Sequence, residues 1–340
     1  MISQKELVAA FGSLGDYLTS YFEAPTSEEY GALNNAIDRA FHNNGWFTEK
    51  EVNAALAYWA RELKSSNLEA WLGKYSFSKN QPKNVGLILA GNIPMVGFHD
   101  VLCVILSGHK ACIKCSSSDE VLIPFLLDWM SNSTEGLKEH FSIERGLMKN
   151  YDAVIATGSN NSARHFEHYF KNVPSIIRRN RTSIAVLTGD ESDVELENLM
   201  KDAFQYYGLG CRNVTKIYLP NSFDLNRIFK ASMPFAYLSS NKKYFNNVTY
   251  HKTLMMMQQK AVLENDLILL VEDTSLFSPV GVLNYEYYND TDELSSQIEM
   301  QLDDIQCVVG HKNIPFGEAQ NPSLKEYADG IDTMKFLVTL

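Results

Sequence analysis

The 340-residue chain has few basic residues, few cysteines and no long apolar run. Its formal net charge of −11 argues against a nucleic-acid-binding protein, because affinity for phosphate backbones needs clustered Lys and Arg. No stretch of about 18 apolar residues occurs, so we expect no membrane span. The first residues also lack the apolar core of a signal peptide. Apolar residues make up 45% of the chain, which is enough for one large core or two domains.

Cysteine is scarce, and its odd count of five excludes a disulfide framework. We therefore expect free thiols and a reducing, cytoplasmic location. Cys112 and Cys115 form a C-x-x-C pair, but "HKACIKCSSS" alternates like a strand and no second Cys/His pair follows at zinc spacing. This pattern favours structural cysteines over a metal centre, and we predict no metal site.

The first 80 residues have the pattern of helices. In "TEKEVNAALAYWARELKSSNLEAWLGKY", Thr48 and Glu51 have the spacing of a capping box, and apolar residues then recur on one helical face. A polar turn over 77–84 ends this region. We interpret the helical region of the first 80 residues as a packing element, because it contains no recognisable catalytic or binding motif.

Strand and helix patterns alternate after residue 84. Apolar runs bounded by glycine or polar turns predict buried strands, and amphipathic stretches predict helices between them. Predicted strands include 85–91, 110–116, "YDAVIATG", "TSIAVLTG" and "NVTKIYLP"; predicted helices include 94–107, one opening at Ser118, "SARHFEHYF" and "DVELENLMKDAFQYY". This alternation predicts an α/β protein with a doubly wound parallel sheet. Further strands are predicted in the last third, where "LMMMQQ" (254–259) is expected to be a buried helix.

Three short stretches could carry chemistry. Asn92 follows the first predicted strand, where ligands gather in open α/β sheets, and its amide could donate to an oxyanion or only build the turn. Gly158 and Ser159 open a helix whose free N–H groups could hold a phosphate, although the G-x-G-x-x-G fingerprint is missing. Cys211, in "YYGLGCRN", is either a nucleophile on a flexible loop or a small residue in a turn.

Five segments in order resemble the aldehyde dehydrogenase superfamily, and more closely its LuxC-like acyl-CoA reductase branch. These segments are "GNIP", "IKCSSSD", "ATGS", "GLGC" and, near the end, "IPFGEAQNPSLKEYADGIDTMKF". The resemblance implies an aldehyde-dehydrogenase-like α/β fold with two Rossmann-like parallel-sheet domains and a helical N-terminal segment. We expect that segment over 1–80, an NAD(P)-binding domain over 81–205, a catalytic domain over 206–325 and an oligomerisation strand within 326–340.

The same resemblance implies roles for individual residues. Asn92 corresponds to the oxyanion-hole asparagine and Cys211 to the catalytic cysteine. Lys114 corresponds to the lysine that holds the adenosine ribose, and Gly158 with Ser159 to the turn under the cofactor pyrophosphate.

Three departures from the superfamily pattern bear on the expected chemistry. Aldehyde-oxidising members carry a glutamate that activates water, but the matching region reads "SIIRRNRTSIAVL" and has no carboxylate near Ile177. Exchange of an acyl group with a thiol is then favoured over hydrolysis. NAD-preferring relatives often have Glu three residues after the ribose lysine, where this chain has Ser117 beside Ser116. Hydroxyls tolerate a 2′-phosphate, so NADPH is favoured, with NAD possible. Ser275 stands where an acid usually contacts the other ribose.

The proton donor and the basic run are less defined. His99, in "GFHD", is a candidate donor about one helical turn from Asn92, although a lone histidine is more often structural. Arg178, Arg179 and Arg181 could hold a coenzyme phosphate or form a solvated charge run.

Together these features predict NADPH-dependent reduction of a fatty acyl-CoA to the aldehyde through an acyl-cysteine. Alternatives are reduction of an acyl phosphate, oxidation of a semialdehyde, and a non-catalytic scaffold that binds a cofactor. Expected partners are the acyl-CoA, with its coenzyme A moiety, and further copies of the chain in a homodimer or higher oligomer.

Overall fold

Short buried apolar runs form a five-stranded sheet in the first of two units. The computed structural model describes residues 2–77 and 81–340 of the chain. The first unit comprises Met1–Arg179 and Ser323–Leu340, and the second comprises Asn180–Pro322. The predicted boundary after residue 80 and the middle of the predicted 77–84 turn lie outside the described residues.

The first unit begins with a group of helices and continues with alternating strands and helices. Its helices before residue 180 are α1 (Gln4–Glu23), α2 (Gly31–Asn43), α3 (Glu49–Glu62), α4 (Ser65–Leu72), α5 (Phe98–Leu106), α6 (Leu122–Ser133) and α7 (Asn160–Tyr169). Its strands are β1 (Asn84–Ile88), β2 (Lys110–Lys114), β3 (Phe141–Ile143), β4 (Ala153–Thr157) and β5 (Ser175–Arg178). Helix α1 packs on α5 through the Phe11 and Phe98 rings, whose centroids are 6.3 Å apart.

The strand order of this sheet is β3-β2-β1-β4-β5, and all pairs are parallel. The central strand β1 pairs with β2 on one side and β4 on the other, so that Gly86 aligns with both Cys112 and Val154. From β1 the chain adds β2 and β3 on one side of the sheet and then β4 and β5 on the other, so the strand order changes direction between β1 and β4. Such a reversal opens a crevice at the carboxyl ends of the strands, and it is the usual ligand position in doubly wound sheets.

The second unit contains a six-stranded sheet with order β11-β6-β7-β10-β9-β8. Its strands are β6 (Thr182–Val186), β7 (Val214–Pro220), β8 (Leu263–Glu264), β9 (Leu269–Glu272), β10 (Val282–Tyr288) and β11 (Ile305–Val309). Only the β8–β9 pair is antiparallel within this sheet. Its helices are α8 (Asp193–Phe204), α9 (Asn226–Ser232), α10 (Lys242–Met257) and α11 (Thr291–Glu299). One parallel sheet and one mostly parallel sheet, each accompanied by helices, confirm the predicted α/β class.

Several local expectations need correction. Helix α3 starts after Thr48, but the Thr48 side chain makes no cap hydrogen bond and Glu51 is buried, so the capping box is wrong. Met256 and Met257 end helix α10 with 64% and 78% of their surface exposed, because this last turn extends beyond the buried Tyr244 and Val248. The expected burial of this helix is therefore also wrong.

The chain ends in a helix, α12 (Thr333–Val338), where we expected an oligomerisation strand. Asp332 caps it by accepting a hydrogen bond from the N–H of Lys335, and Met334 and Leu337 are buried. Apolar residues three apart form one helical face, so this segment follows the helical period instead of the strand period. Self-association of the chain remains a prediction.

Candidate active site

The carboxyl ends of β1, β2 and β4 carry most of the predicted cofactor residues. Asn92 follows β1, Lys114 ends β2, and Ser159 follows β4 at the start of helix α7. Ser116 and Ser117 follow Lys114 directly. Because these strands are adjacent and parallel, the fold brings all of these segments to one edge of the first sheet.

The loop that carries Asn92 is tightly interlocked with the loop after β2. Asn92 is exposed, while Gly91 is so close to the second loop that an added Cβ would lie 2.6 Å from Cβ of Ser116. Met95, three residues on, is 1% exposed and has a left-handed backbone with φ of 56°. Its N–H donates a 2.7 Å hydrogen bond to Oδ2 of Asp119. Packing and one buried carboxyl group therefore hold the Asn92 loop.

Asp119 is itself unusual. It is 3% exposed, and its Oδ1 has no hydrogen-bond partner among the described residues. Burial raises the pKa of its carboxyl group to about 7, against the lowering effect of the Met95 N–H. Its own N–H donates to the carbonyl of Ser116, which closes the loop into a tight turn.

The serine loop after β2 is anchored from the helical segment. Asn43 donates a 2.7 Å hydrogen bond to the carbonyl of Ser117, and Asn44 donates to the carbonyl of Ser118 at 3.3 Å. Both asparagines lie at the end of helix α2. The Lys114 side chain at the edge of this loop is half-buried, and it makes no ion pair within residues 2–77 and 81–340. This short turn therefore combines a cation with several hydroxyl groups, a donor set that suits ribose and phosphate oxygens.

Gly158 and Ser159 form the entry to helix α7. The Ser159 side chain caps the helix by accepting a hydrogen bond from the Ser162 N–H at 3.3 Å. Gly158 packs so closely on the helix that a Cβ there would lie 2.8 Å from Cβ of Ser162 and 3.0 Å from the Phe166 ring. The glycine thus lets helix α7 start directly beside the sheet, with its first N–H groups at the sheet edge.

The structure encloses His99 in an aromatic cluster. Its ring lies 5.5 Å from that of Trp71 and 5.4 Å from that of Tyr327. Nε2 is 3.1 Å from the carbonyl of Leu324, and Nδ1 is 3.9 Å from the Cys103 thiol. Burial lowers the pKa of His99. Both ring nitrogens are thus engaged within the first unit, and proton donation by His99 stays a prediction.

The three arginines of the basic run have separate partners. Arg178 is buried and forms an ion pair with Asp100, and its NH2 group donates to the Thr333 hydroxyl at 2.8 Å. Arg179 is exposed and pairs with Glu167 at 2.6 Å. Arg181 donates to backbone carbonyls near strand β11. Arg178 is therefore neither a solvated charge nor a surface cation available to a phosphate.

Cys211 lies in the second unit, on the turn that precedes β7. It is half-buried and forms no disulfide. Its carbonyl accepts a 3.0 Å hydrogen bond from the Ser183 hydroxyl on β6. The three residues Tyr206, Tyr207 and Gly208 all have left-handed backbones, with φ of 54°, 57° and 76°. Consecutive left-handed non-glycine residues are costly and cluster at functional sites.

The other cysteines are poor candidates for a nucleophile. Cys103, Cys112 and Cys307 are buried. Burial, with Asp119 and Glu120 nearby, raises the pKa of Cys115 to about 12.

No group of three or more His, Cys, Asp or Glu within the described residues could hold a metal ion. None of the helices described by the structure is both long and apolar enough to cross a membrane.

Sequence reasoning missed the residues that hold these loops. Asp119 stands at the end of the "SSSD" motif, and its position after a strand could have drawn attention to it. Asn43 and Asn44 donate to backbone carbonyls 74 residues away, which no local pattern indicates. Asn213 binds backbone groups between 3 and 11 residues away, but an asparagine beside the cysteine motif was not singled out. Asn92 and Cys211 belong to different units, so their proximity remains a prediction.

The fold of the chain is similar to that of several solved aldehyde dehydrogenases. Aldehyde dehydrogenase 21 from Physcomitrella patens, solved with succinate, has a TM-score of 0.69 at 12% identity, over 99% of this chain and 84% of that one. The Mycobacterium tuberculosis aldehyde dehydrogenase solved with NAD+ has a TM-score of 0.62 at 13% identity, over 91% and 73%. An aldehyde dehydrogenase from Bartonella henselae reaches 0.64 at 12% identity, over 91% and 74%. These similarities show an aldehyde-dehydrogenase-like fold.

Sequence comparison assigns the family. The model of the acyl-CoA reductase (LuxC) family matches residues 45–227, which is more than half of the chain. This range includes Asn92, Lys114, Ser159 and Cys211. No curated protein matches the chain. The chain therefore belongs to the acyl-CoA reductase (LuxC) family, and it is an oxidoreductase of aldehyde-related chemistry.

Proposed function

We propose that this enzyme reduces a fatty acyl-CoA thioester to the aldehyde through a covalent thioester on Cys211, with NADPH as the reductant. The observation that carries the proposal is the setting of Cys211. It is a half-buried thiol that forms no disulfide, and it follows three consecutive left-handed residues on a turn bound to the neighbouring strand. A thiol used only for packing needs no such backbone, whereas a nucleophile must be presented to its substrate in one orientation.

The chain's own residues act in two stages. The Cys211 thiolate attacks the acyl carbonyl, the bond from that carbon to the coenzyme A sulfur breaks, and coenzyme A leaves as a thiolate that takes up a proton. Asn92 donates its amide N–H to the oxyanion that forms during this attack, as does the backbone N–H of Cys211. After hydride addition to the thioester carbon, the bond to Cys211 breaks, which releases the aldehyde and restores the thiolate.

The edge of the first sheet fits a nicotinamide dinucleotide. Lys114 and Ser116 would hold the adenosine ribose, Ser117 would donate to a 2′-phosphate, and the turn of Gly158 and Ser159 would accept the pyrophosphate at the start of helix α7. The bound cofactor supplies the hydride. The preference for NADPH is supported by the cation of Lys114 at the end of β2 and by hydroxyl groups in place of a carboxylate at Ser117.

Transfer to a thiol is favoured over hydrolysis of the acyl-enzyme. The segment that carries the water-activating glutamate in oxidising relatives contains Arg178, which is buried in an ion pair with Asp100. A carboxylate in such a pair is a poor base, because proton uptake would leave the arginine charge buried and unpaired.

His99 remains a candidate proton donor, but one of its two ring contacts would have to break first. None of the five cysteines forms a disulfide, which supports a reducing, cytoplasmic compartment.

The test is a panel of acyl-CoA thioesters and one acyl phosphate with NADH and NADPH, followed by absorbance of the reduced nicotinamide. Cys211→Ala should abolish reduction and leave NADPH binding, measured by fluorescence, unchanged. Cys115→Ala is the matched control, since its thiol is half-buried as well, and it should retain activity. Reduction by Cys211→Ala at the wild-type rate would overturn the proposal. Turnover of acyl phosphate alone would assign a different substrate class.

A further inference from the structure

A buried carboxylate binds helix α8 to the 317–319 turn, and this turn also binds the residue after Cys211. Asp202, close to the end of helix α8, has no exposed surface. Its Oδ2 accepts a 2.6 Å hydrogen bond from the Gly317 N–H, and its Oδ1 accepts one of 3.0 Å from the Ala319 N–H. Arg212, the residue after Cys211, donates its Nε–H to the carbonyl of Ala319. The 317–319 turn is therefore bound to the helix on one side and to the cysteine loop on the other.

A single amide closes the cysteine loop itself. Asn213 is completely buried, and its Oδ1 accepts a 2.7 Å hydrogen bond from the Gly210 N–H. Its Nδ2 donates to the carbonyls of Asp202 at 2.9 Å, Gln205 at 2.8 Å and Ala203 at 3.3 Å. One side chain thus connects the residue before Cys211 with the end of helix α8.

We infer that Asn213 and Asp202 are positioning residues for Cys211, and that they lock the cysteine loop, the end of helix α8 and the 317–319 turn into one hydrogen-bonded body. The inference rests on the proposed role of Cys211. Residue 213 must carry an amide, because its oxygen accepts a hydrogen bond from the Gly210 N–H while its nitrogen donates to three backbone carbonyls. An all-acceptor or an apolar side chain of similar size cannot do both.

The backbone explains why such a clamp is needed. Tyr206 and Tyr207 adopt the left-handed conformation between Gln205 and Gly210, which both bind Asn213, and this conformation is costly for residues other than glycine. Contacts elsewhere must hold a strained turn of this kind, or it relaxes. The Asn213 bonds span the turn from Gln205 to Gly210, so their loss lets the loop relax and moves Cys211 with it.

The test compares Asn213→Asp with Asn265→Asp. In Asn213→Asp one carboxylate oxygen still accepts from the Gly210 N–H. The other oxygen replaces the amide nitrogen, so it cannot donate to the three backbone carbonyls. Asn265, on the loop before β9, also accepts from backbone N–H groups (Leu267 and Ile268) and donates through Nδ2 to Ser232, so it is a matched control. Three readouts are measured: hydrogen exchange of 205–213, the rate of Cys211 alkylation by iodoacetamide, and kcat with KM.

We expect Asn213→Asp to speed exchange over 205–213 and to change Cys211 alkylation by about 10-fold, because a buried polar group is left unsatisfied. The expected fall in kcat is about 100-fold, as for a reacting group displaced by about 1 Å. Asn265→Asp should lower the melting temperature without these changes. Equal exchange and alkylation in both variants would overturn the inference, even if Cys211 proves essential.

The wild-type enzyme offers a second measurement in case Asn213→Asp does not fold. The Gly210 amide, in a loop, should exchange as slowly as amides of β7, because its hydrogen bond opens only when the Asn213 clamp opens. Rapid exchange of Gly210 would contradict the clamp. This result does not depend on activity, so it separates the failure of the clamp from the failure of the proposed nucleophile.

Discussion

Asp119 accepts a hydrogen bond from the backbone N–H of Met95, and this contact joins the loop after β2 to the loop that carries Asn92. The donor residue is left-handed and buried, and the acceptor is a buried carboxyl group. Two loops from adjacent strand ends are thus fixed relative to each other before any ligand binds. Preorganisation of this kind is what an oxyanion donor requires, because a donor that must first reorient stabilises the transition state less.

Asp119→Asn is expected to change how stability depends on pH. The pKa of about 7 in the folded protein lies above the usual 3.8, so the folded state keeps a proton that the unfolded chain has released. The free energy of unfolding contributed by Asp119 therefore falls as pH rises from about 4 to 7, by up to about 1.4 kcal/mol per pH unit. Asn keeps the acceptor for Met95 but cannot ionise.

Relative to wild type, the Asn variant should become more stable between pH 5 and pH 7, as measured by urea unfolding. Asp202, whose pKa burial raises to about 6, contributes to both proteins and cancels in the difference. A difference that does not vary with pH would show that Asp119 is ionised throughout this range.

Asn92→Ala is expected to lower kcat for acyl-CoA reduction by about 100-fold or more, which corresponds to roughly 3 kcal/mol of lost oxyanion stabilisation. The side chain is exposed, so the fold should be unaffected. The rate of Cys211 alkylation is the control, because alkylation forms no oxyanion and should remain at the wild-type value. Unchanged kcat with equal alkylation would remove Asn92 from the mechanism.

The acyl-enzyme should be long-lived in the absence of reductant. Mixing the enzyme with acyl-CoA alone should release one equivalent of coenzyme A and add one acyl group to the Cys211 peptide, as read by mass spectrometry. Because the ion-paired Arg178 occupies the segment of the water-activating glutamate, hydrolysis should be slow, and added free thiol should shorten the lifetime of the adduct. Rapid loss of the acyl group to water without added thiol would contradict this expectation.

Ser117→Glu is expected to raise KM for NADPH by about 10-fold or more, because a carboxylate repels the 2′-phosphate at about 1.4 kcal/mol or more. KM for NADH should change little. Ser118→Glu is the matched control, since it adds the same charge one residue further along an equally exposed loop. If both variants shift the two cofactors equally, the effect comes from net charge and not from a 2′-phosphate contact.

Apart from β3 and β5, the strand and helix order between 84 and 220 could be predicted from sequence, because buried parallel strands appear as short apolar runs ended by turns. Family motifs in the right order also identified the branch. Three short strands escaped prediction. β3 and β8 have only three and two residues, and β5 ends in Arg178, which made the segment look like a charge run.

Sequence by itself determined the α/β class, the acyl-CoA reductase family and the identity of the candidate nucleophile, since these follow from local periodicity and contiguous motifs. Only the tertiary structure decided that Arg178 is buried against Asp100, that Asp119 supports the Asn92 loop and that Asn213 closes the Cys211 loop. The partner of a buried polar group lies wherever the folded chain brings another group close to it. In the first two cases the two groups are 78 and 24 residues apart in sequence, and no local pattern encodes such a pairing.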